Sequence, residues 1–247
     1  MKYKAVIFDI DGTAVANAQY AKPSKRLVDV VQKAKRTAHI CAATGRIWST
    51  ARWVIEPLQL IAPSVISAGA EIIDPVSQKI LWKKYMSKQQ VMDIVRIVKK
   101  YPYEIFCASQ LDGFPNITEW RGKEESVVYI SNIPNEKTIE IRRKLSIITD
   151  IVVHQGPGYV DGTINFNITQ KDATKLHALH ELIRMLDLQK KEIIGVGDGD
   201  NDLPLFDSVG LKIAVGNATE KLKKAADVVV ADADKDGLAE VIIKYIL

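Results

Sequence analysis

Short apolar runs recur along this chain, and each one stops abruptly. Ala5-Val6-Ile7-Phe8 meets Asp9, residues 39–44 (HICAAT) meet Gly45, and residues 192–196 (EIIGV) meet Gly197. Residues 211–215 (LKIAV) and 227–231 (DVVVA) repeat the pattern. Such runs, β-branched and without alternation, predict strands covered on both faces. Between them, apolar positions fall at helical spacing. Leu27, Val28, Val31 and Ala34 predict a helix over 23–36, with Pro23 suited to its first turn. Helices are likewise predicted over 47–58, 174–186, 218–226 and 237–246, and Val65-Ile66 predicts a short third strand before Gly69. Strands alternating with helices predict an α/β fold: a doubly wound parallel sheet, Rossmann-like, with helices on both faces.

The middle of the chain has another rhythm. From about 81 the pattern is strand, helix (88–100), strands (103–108 and 127–133), helix (135–148) and further strands to 167. Turn chemistry stands at 111–113 (LDG), 156–158 (GPG) and 161–162 (DG). Strands next to strands predict a smaller α+β unit. The expected organisation is a core domain in two parts, 1–80 and 168–247, with residues 81–167 inserted as a cap. No repeat or low-complexity tract is visible.

Composition changes this picture little. A length of 247 residues with 47% hydrophobic content suffices for such a core and insertion. The formal charge of +4 is small and scattered, which argues against nucleic acid and suits a small anionic ligand. Two cysteines, Cys41 and Cys107, give no disulfide framework or zinc site and fit a reducing compartment. The opening MKYKAVIFDIDG lacks the layout of a secretory signal, and no apolar stretch is long enough to span a membrane. The expectation is a cytoplasmic protein without membrane or nucleic-acid partners, a monomer or a homodimer.

The chemistry lies where the strands end. Asp9 and Asp11 follow the first strand, Thr44 ends the second, and GDGDND after residue 196 supplies Asp198 and Asp202. In open α/β sheets, ligands sit beyond the carboxyl ends of the strands. Four converging acids repel one another unless a hard cation such as Mg²⁺ joins them. Gly12, Gly197 and Gly199 let the backbone approach a ligand closely. A carboxylate beside Mg²⁺ can attack phosphorus, and a second, two residues on, can protonate the leaving oxygen and then activate water. Backbone amides of the Asp11-Gly12-Thr13 turn and the Thr44 hydroxyl are placed to hold phosphate oxygens. Lys175, opening a predicted helix, supplies the missing cation.

Taken in order, DIDGT (9–13), ATGR (43–46), Lys175 and GDGDND (197–202) resemble the four motifs of the haloacid dehalogenase superfamily of phosphohydrolases. The insertion resembles the α/β cap of its Cof-type branch, which includes sugar-phosphate, sucrose-phosphate and phosphoglycolate phosphatases. The resemblance implies Asp9 as nucleophile and Mg²⁺ ligand. It implies Asp11 as general acid/base whose main-chain carbonyl also touches the metal. Thr44 and Lys175 would bind the phosphoryl group, Asp198 would ligate the metal directly, and Asp202 would support it directly or through water. Gly12, Thr13, Gly45, Arg46, Asn201 and, from the insertion, Arg121 are the expected substrate contacts, with Trp120 and Lys123 beside Arg121.

Two positions depart from the family pattern. Leu176 stands where glycine commonly follows the lysine, and Ala68 stands where an asparagine often precedes Gly69. The implied activity is Mg²⁺-dependent hydrolysis of a small phosphorylated metabolite through an aspartyl-phosphate. The alternatives are a phosphomutase of the phosphomannomutase type and a catalytically silent phosphate-binding regulator. The glycines of 195–199 do not complete a dinucleotide fingerprint, and His177 with His180 does not make a zinc motif.

Overall fold

The structure is a computed structural model that describes residues 2–17, 21–108, 120 and 122–247. In chain order its elements begin with β1 (Ala5–Phe8), α1 (Lys25–Ala34), β2 (His39–Ala42), α2 (Trp48–Leu58), β3 (Ser64–Ile66), β4 (Glu71–Ile73) and β5 (Ile80–Lys83). There follow α3 (Lys88–Val98), β6 (Ile105–Ala108), β7 (Val127–Pro134), α4 (Asn135–Leu145), β8 (Ile151–Pro157) and β9 (Thr163–Gln170). The chain closes with α5 (Lys175–Met185), β10 (Ile193–Gly197), α6 (Leu203–Ser208), β11 (Leu211–Ala214), α7 (Glu220–Ala225), β12 (Val228–Val229) and α8 (Gly237–Tyr245).

The core is a parallel sheet in the order β12-β11-β10-β1-β2. β1 and β10 are buried along their whole length, which is why their sequences run apolar without alternation. Register sets the level at which the strands end: Phe8 pairs with Ala42 on one side and Val196 on the other. Asp9, Thr44 and Asp198 therefore leave the sheet at the same edge. Helices cover both faces. α1 starts where the Ser24 hydroxyl accepts from the Leu27 N–H at 3.0 Å, and it buries Leu27, Val30, Val31 and Ala34. α5 on the other face buries Ala178, Leu179 and Leu182 against Ile7, Cys41 and Ile193.

The predicted strand at Val65-Ile66 forms as β3, but it leads into an antiparallel sheet β3-β4-β5 and joins the core sheet through an Ala43–Val65 bridge and the Ala42 N–H donating to the Ser64 hydroxyl at 3.1 Å. β4 was not anticipated: Glu71-Ile72-Ile73 is too short to carry a period of its own.

The third sheet, β6-β7-β9-β8, is antiparallel throughout. One face packs Ile105, Val128, Ile130, Phe166 and Ile168 against α3 and α4. The other presents a cross-strand row of Phe106, Tyr129, Asn167 and His154. That face turns toward the ligand edge of the core, where Ala108 and Val127 meet Ile47. The turn predicted at 111–113 lies outside the described residues. No described helix is long and apolar enough to cross a membrane.

Candidate active site

Three carboxylates meet where β1 and β10 end. Asp9, Asp198 and Asp202 each bring an oxygen within 4.8 Å of the others. Asp9 is fixed by its N–H donating to the Val196 carbonyl at 3.0 Å, which ties the two strand ends together. Asp198 accepts from the Thr13 hydroxyl at 3.0 Å. It lies so close to the turn after β1 that a side chain on Gly12 would have its Cβ 2.2 Å from Asp198 Oδ2. Gly12 also has φ +74°, so the turn needs glycine for conformation and space together.

Lys175 enters this acid pocket from the first turn of α5. Its ammonium donates to Asp9 Oδ1 at 2.9 Å and Asp202 Oδ1 at 2.7 Å. A lysine at a helix N-terminus opposes the helix dipole, and this one is only 7% exposed. The local rule gives way because the three acids need a cation. Burial works against the Lys175 ammonium, and Asp202 and Asp9 overcome it, so its pKa is raised. Burial pushes the Asp9 carboxyl well above the usual range, with Lys175 opposing and Asp202, Asp198 and Asp11 adding to the rise. Burial and then Asp202 push Asp198 up to about 7. Three carboxylates gathered around one ammonium, with only oxygen donors among the acids, have the chemistry of a hard-cation site.

Asp202 is the most constrained of the acids. Its Oδ2 accepts from the N–H groups of Asp198 and Gly199 at 3.0 and 3.1 Å. It thus ties its own loop and does not cap α6 with its side chain. Asn201 is exposed on the Asp200–Asp202 turn, with its amide over Gly199.

Asp11 stands apart from the trio. Arg46 grips its carboxylate with Nε to Oδ2 at 2.9 Å and a terminal nitrogen to Oδ1 at 2.5 Å, a bidentate pair. Arg46 is 9% exposed and also donates to the Thr50 carbonyl at 3.2 Å, so it is no solvated surface pair. Thr44 is fully buried, and its hydroxyl accepts from the Arg46 N–H at 3.1 Å. Beneath these residues the backbone is strained: Ser67 and Ala68 sit at φ +54° and +56°. A left-handed conformation costs a residue with a Cβ about 1–2 kcal/mol.

The antiparallel sheet closes over the same edge. A Cβ on Gly45 would lie 3.8 Å from Asn167 Nδ2. Tyr129 and Tyr159 lie close enough on this face to influence each other's phenol. Burial and the nearby Asp11 charge push the Tyr159 phenol up, and burial leads the larger rise of Tyr129. His154 faces Lys175, and burial, then that positive charge, lower its pKa to about 4.

The sequence of residues 6–157 and 135–242 matches the family model of the haloacid dehalogenase-like hydrolases. The chain belongs to that family. It is a phosphoric monoester hydrolase, acting on phosphorylated substrates, as its relatives do. A phosphoglycolate phosphatase of Staphylothermus marinus is 24% identical over 247 residues, covering 97% of this chain and 96% of the relative. A 5-amino-6-(5-phospho-D-ribitylamino)uracil phosphatase of Bacillus subtilis is 24% identical over 252 residues, covering 99% and 96%. Among solved structures, a haloacid dehalogenase-like hydrolase of B. subtilis superposes with a TM-score of 0.82 at 20% identity, covering 99% of this chain and all of the other. That likeness speaks for the fold, a Rossmann-like core with a separate antiparallel sheet.

Of the residues singled out in the sequence, the structure gathers Asp9, Asp198, Asp202 and Lys175 in one pocket. It sets Asp11, Gly12, Thr13, Thr44, Gly45 and Arg46 on its rim. Arg121 lies outside the described residues. Trp120 packs on the apolar core of the antiparallel sheet. Tyr129, Asn167 and His154 escaped sequence reading because their strands alternate polar and apolar like any half-buried strand. Only the register across β7, β9 and β8 gathers them.

Proposed function

We propose that this protein hydrolyses a small phosphorylated metabolite in a Mg²⁺-dependent reaction through an aspartyl-phosphate on Asp9. The substrate class is a sugar phosphate, phosphoglycolate or a similar small monoester. The observation that carries the proposal is the pocket in which Asp9, held by Lys175, faces Asp198 and Asp202. Asp9, Asp198 and Asp202, with the Asp11 main-chain carbonyl, would hold the metal. Bound there, the cation supplies positive charge against the phosphate oxygens and keeps the acids ionised.

Asp9 attacks phosphorus and the bond to the leaving oxygen breaks. Lys175 keeps Asp9 aligned, while the Thr44 hydroxyl and the amides of Gly12 and Thr13 take up phosphate oxygens. Asp11 takes up a proton from solvent and gives it to the leaving oxygen. For that step its carboxylate leaves Arg46, whose guanidinium then meets the incoming anion. Asp11 next takes a proton from the water that attacks phosphorus, and Asp9 is restored as phosphate departs. Residues 81–167 serve as the inserted cap, and Tyr129, Tyr159 and Asn167 face the leaving group. Closure over the site excludes bulk water.

The test is phosphate release from a panel of phosphorylated metabolites with Mg²⁺, with EDTA, and with Asp9→Asn. Release that requires both Mg²⁺ and Asp9 is expected. Isomerised sugar phosphate without free phosphate would make the protein a mutase, and ligand binding without turnover on any member would make it a regulator.

A further inference from the structure

A fully buried acid lies beside the turn that carries the second motif. Glu71 opens β4 with no solvent exposure. Its Oε2 accepts from the Ser67 hydroxyl at 2.6 Å and its Oε1 from the Tyr85 hydroxyl at 2.5 Å. The Lys83 ammonium stands 4.7 Å from the Tyr85 ring centre, so a cation lies close to this phenol donor. A carboxylate is costly to bury, and an apolar residue would suit this three-residue strand between Ala70 and Ile72 better.

What Glu71 holds is the turn from Ser67 to Gly69. All three residues are left-handed, with φ of +54°, +56° and +98°. The turn reaches two parts of the site at once. Toward the second motif, the Ser67 N–H donates to the Arg46 carbonyl at 2.7 Å and the Ala68 N–H to the Thr44 carbonyl at 3.3 Å. Toward α5, Gly69 lies so close to the Thr174–Lys175 peptide that a Cβ on it would stand 2.2 Å from the Thr174 carbonyl carbon and 2.4 Å from the Lys175 nitrogen. The backbone that carries Lys175 thus rests on Gly69, and the backbone that carries Thr44 and Arg46 hangs from Ser67 and Ala68.

We propose that Glu71 is a positioning residue: through its bonds to Ser67 and Tyr85 it clamps the left-handed turn that sets Thr44, Arg46 and Lys175 against Asp9. Strained backbone persists where its surroundings over-determine it, and here the clamp is the Glu71 carboxylate. The proposal rests on the reading of Asp9 and Lys175 as phosphoryl-transfer residues. Its expected signature is a loss of kcat, because the misplaced groups act on the transition state, while the face of β7 and β9 that meets the leaving group is untouched.

The experiment compares Glu71→Gln, Tyr85→Phe and their double variant with wild type and Ile73→Val, on the best substrate with Mg²⁺. Ile73 is buried on the same strand but lies outside the clamp, so Ile73→Val reports plain destabilisation. A misplacement of about 1 Å can cost up to about a hundredfold in rate. Glu71→Gln is expected to lower kcat at least about tenfold with KM within about twofold, and Tyr85→Phe less in the same direction. The double variant is expected to be no worse than Glu71→Gln alone, since both act through one clamp. Ile73→Val is expected to lower the melting temperature and keep kcat.

Wild-type kcat in folded Glu71→Gln and Tyr85→Phe would overturn the proposal. So would an Ile73→Val loss of kcat as large as theirs. Should Glu71→Gln not fold, Tyr85→Phe, which keeps the ring, decides alone. Asp9→Asn is run alongside. Its inactivity beside an unaffected Glu71→Gln rejects the positioning role only, and its full activity rejects the phosphoryl-transfer reading beneath it.

Discussion

Replacing Lys175 with methionine removes the cation that, among the described residues, bonds inside the acid pocket, and keeps most of the side-chain volume. The ammonium bonds to Asp9 and Asp202, and both carboxylates are almost wholly buried. Breaking a buried pair by removing one partner costs about 3–5 kcal/mol, because the charges left behind are uncompensated. For a chain of this length that is a fall of about 6–20 °C in melting temperature. The assay is a thermal melt of both proteins at pH 8 in EDTA and again in excess Mg²⁺.

The full deficit is expected in EDTA and a smaller one in Mg²⁺, since a divalent ion among the same acids restores the missing charge. Lower pH should also narrow the gap. Asp198, with a folded pKa near 7 above its unfolded value, destabilises the fold as pH rises from about 4 through 7, and protonation relieves it. A Lys175→Met protein within about 2 °C of wild type in EDTA at pH 8 would refute this account of the pocket.

Ala68→Gly should stabilise the protein by about 0.5–1 kcal/mol, since glycine relieves a left-handed residue but loses more entropy on folding; a urea melt reads this as a higher midpoint at unchanged slope. His154 is held neutral, so the unfolded chain binds the extra proton between about pH 4 and 6.5, and stability should rise with pH across that window by up to about 3 kcal/mol. His154→Gln should flatten that part of the profile, and an unchanged profile would mean that the fold does not hold His154 neutral.

Much of the site was legible because its signals are one-dimensional. Asp9 and Asp198 each follow a continuous apolar run, and a run covered on both faces must end at the sheet edge where ligands bind. Lys175 was legible from its place at the start of a predicted helix, where an anion is favoured, and from its order among the motifs. Glu71 was not legible, because a lone acid in SAGAEII reads as exposed, and only the turn at 67–69 explains its burial. Tyr129, Asn167 and His154 come together by strand register in an antiparallel sheet, which pairs residues far apart in the chain. The bidentate hold of Arg46 on Asp11 likewise joins two motif loops that touch only in three dimensions.

The central claim is that Asp9 takes the phosphoryl group. It is tested most directly by mixing enzyme, Mg²⁺ and the best substrate, quenching in acid within one turnover, and mapping phosphorylation by mass spectrometry. The account predicts one phosphoryl group on the peptide containing Asp9, formed and lost at rates that support turnover and absent in Asp9→Ala. Full turnover by Asp9→Ala, or a phosphoryl group found elsewhere on the chain at the same rates, would contradict it.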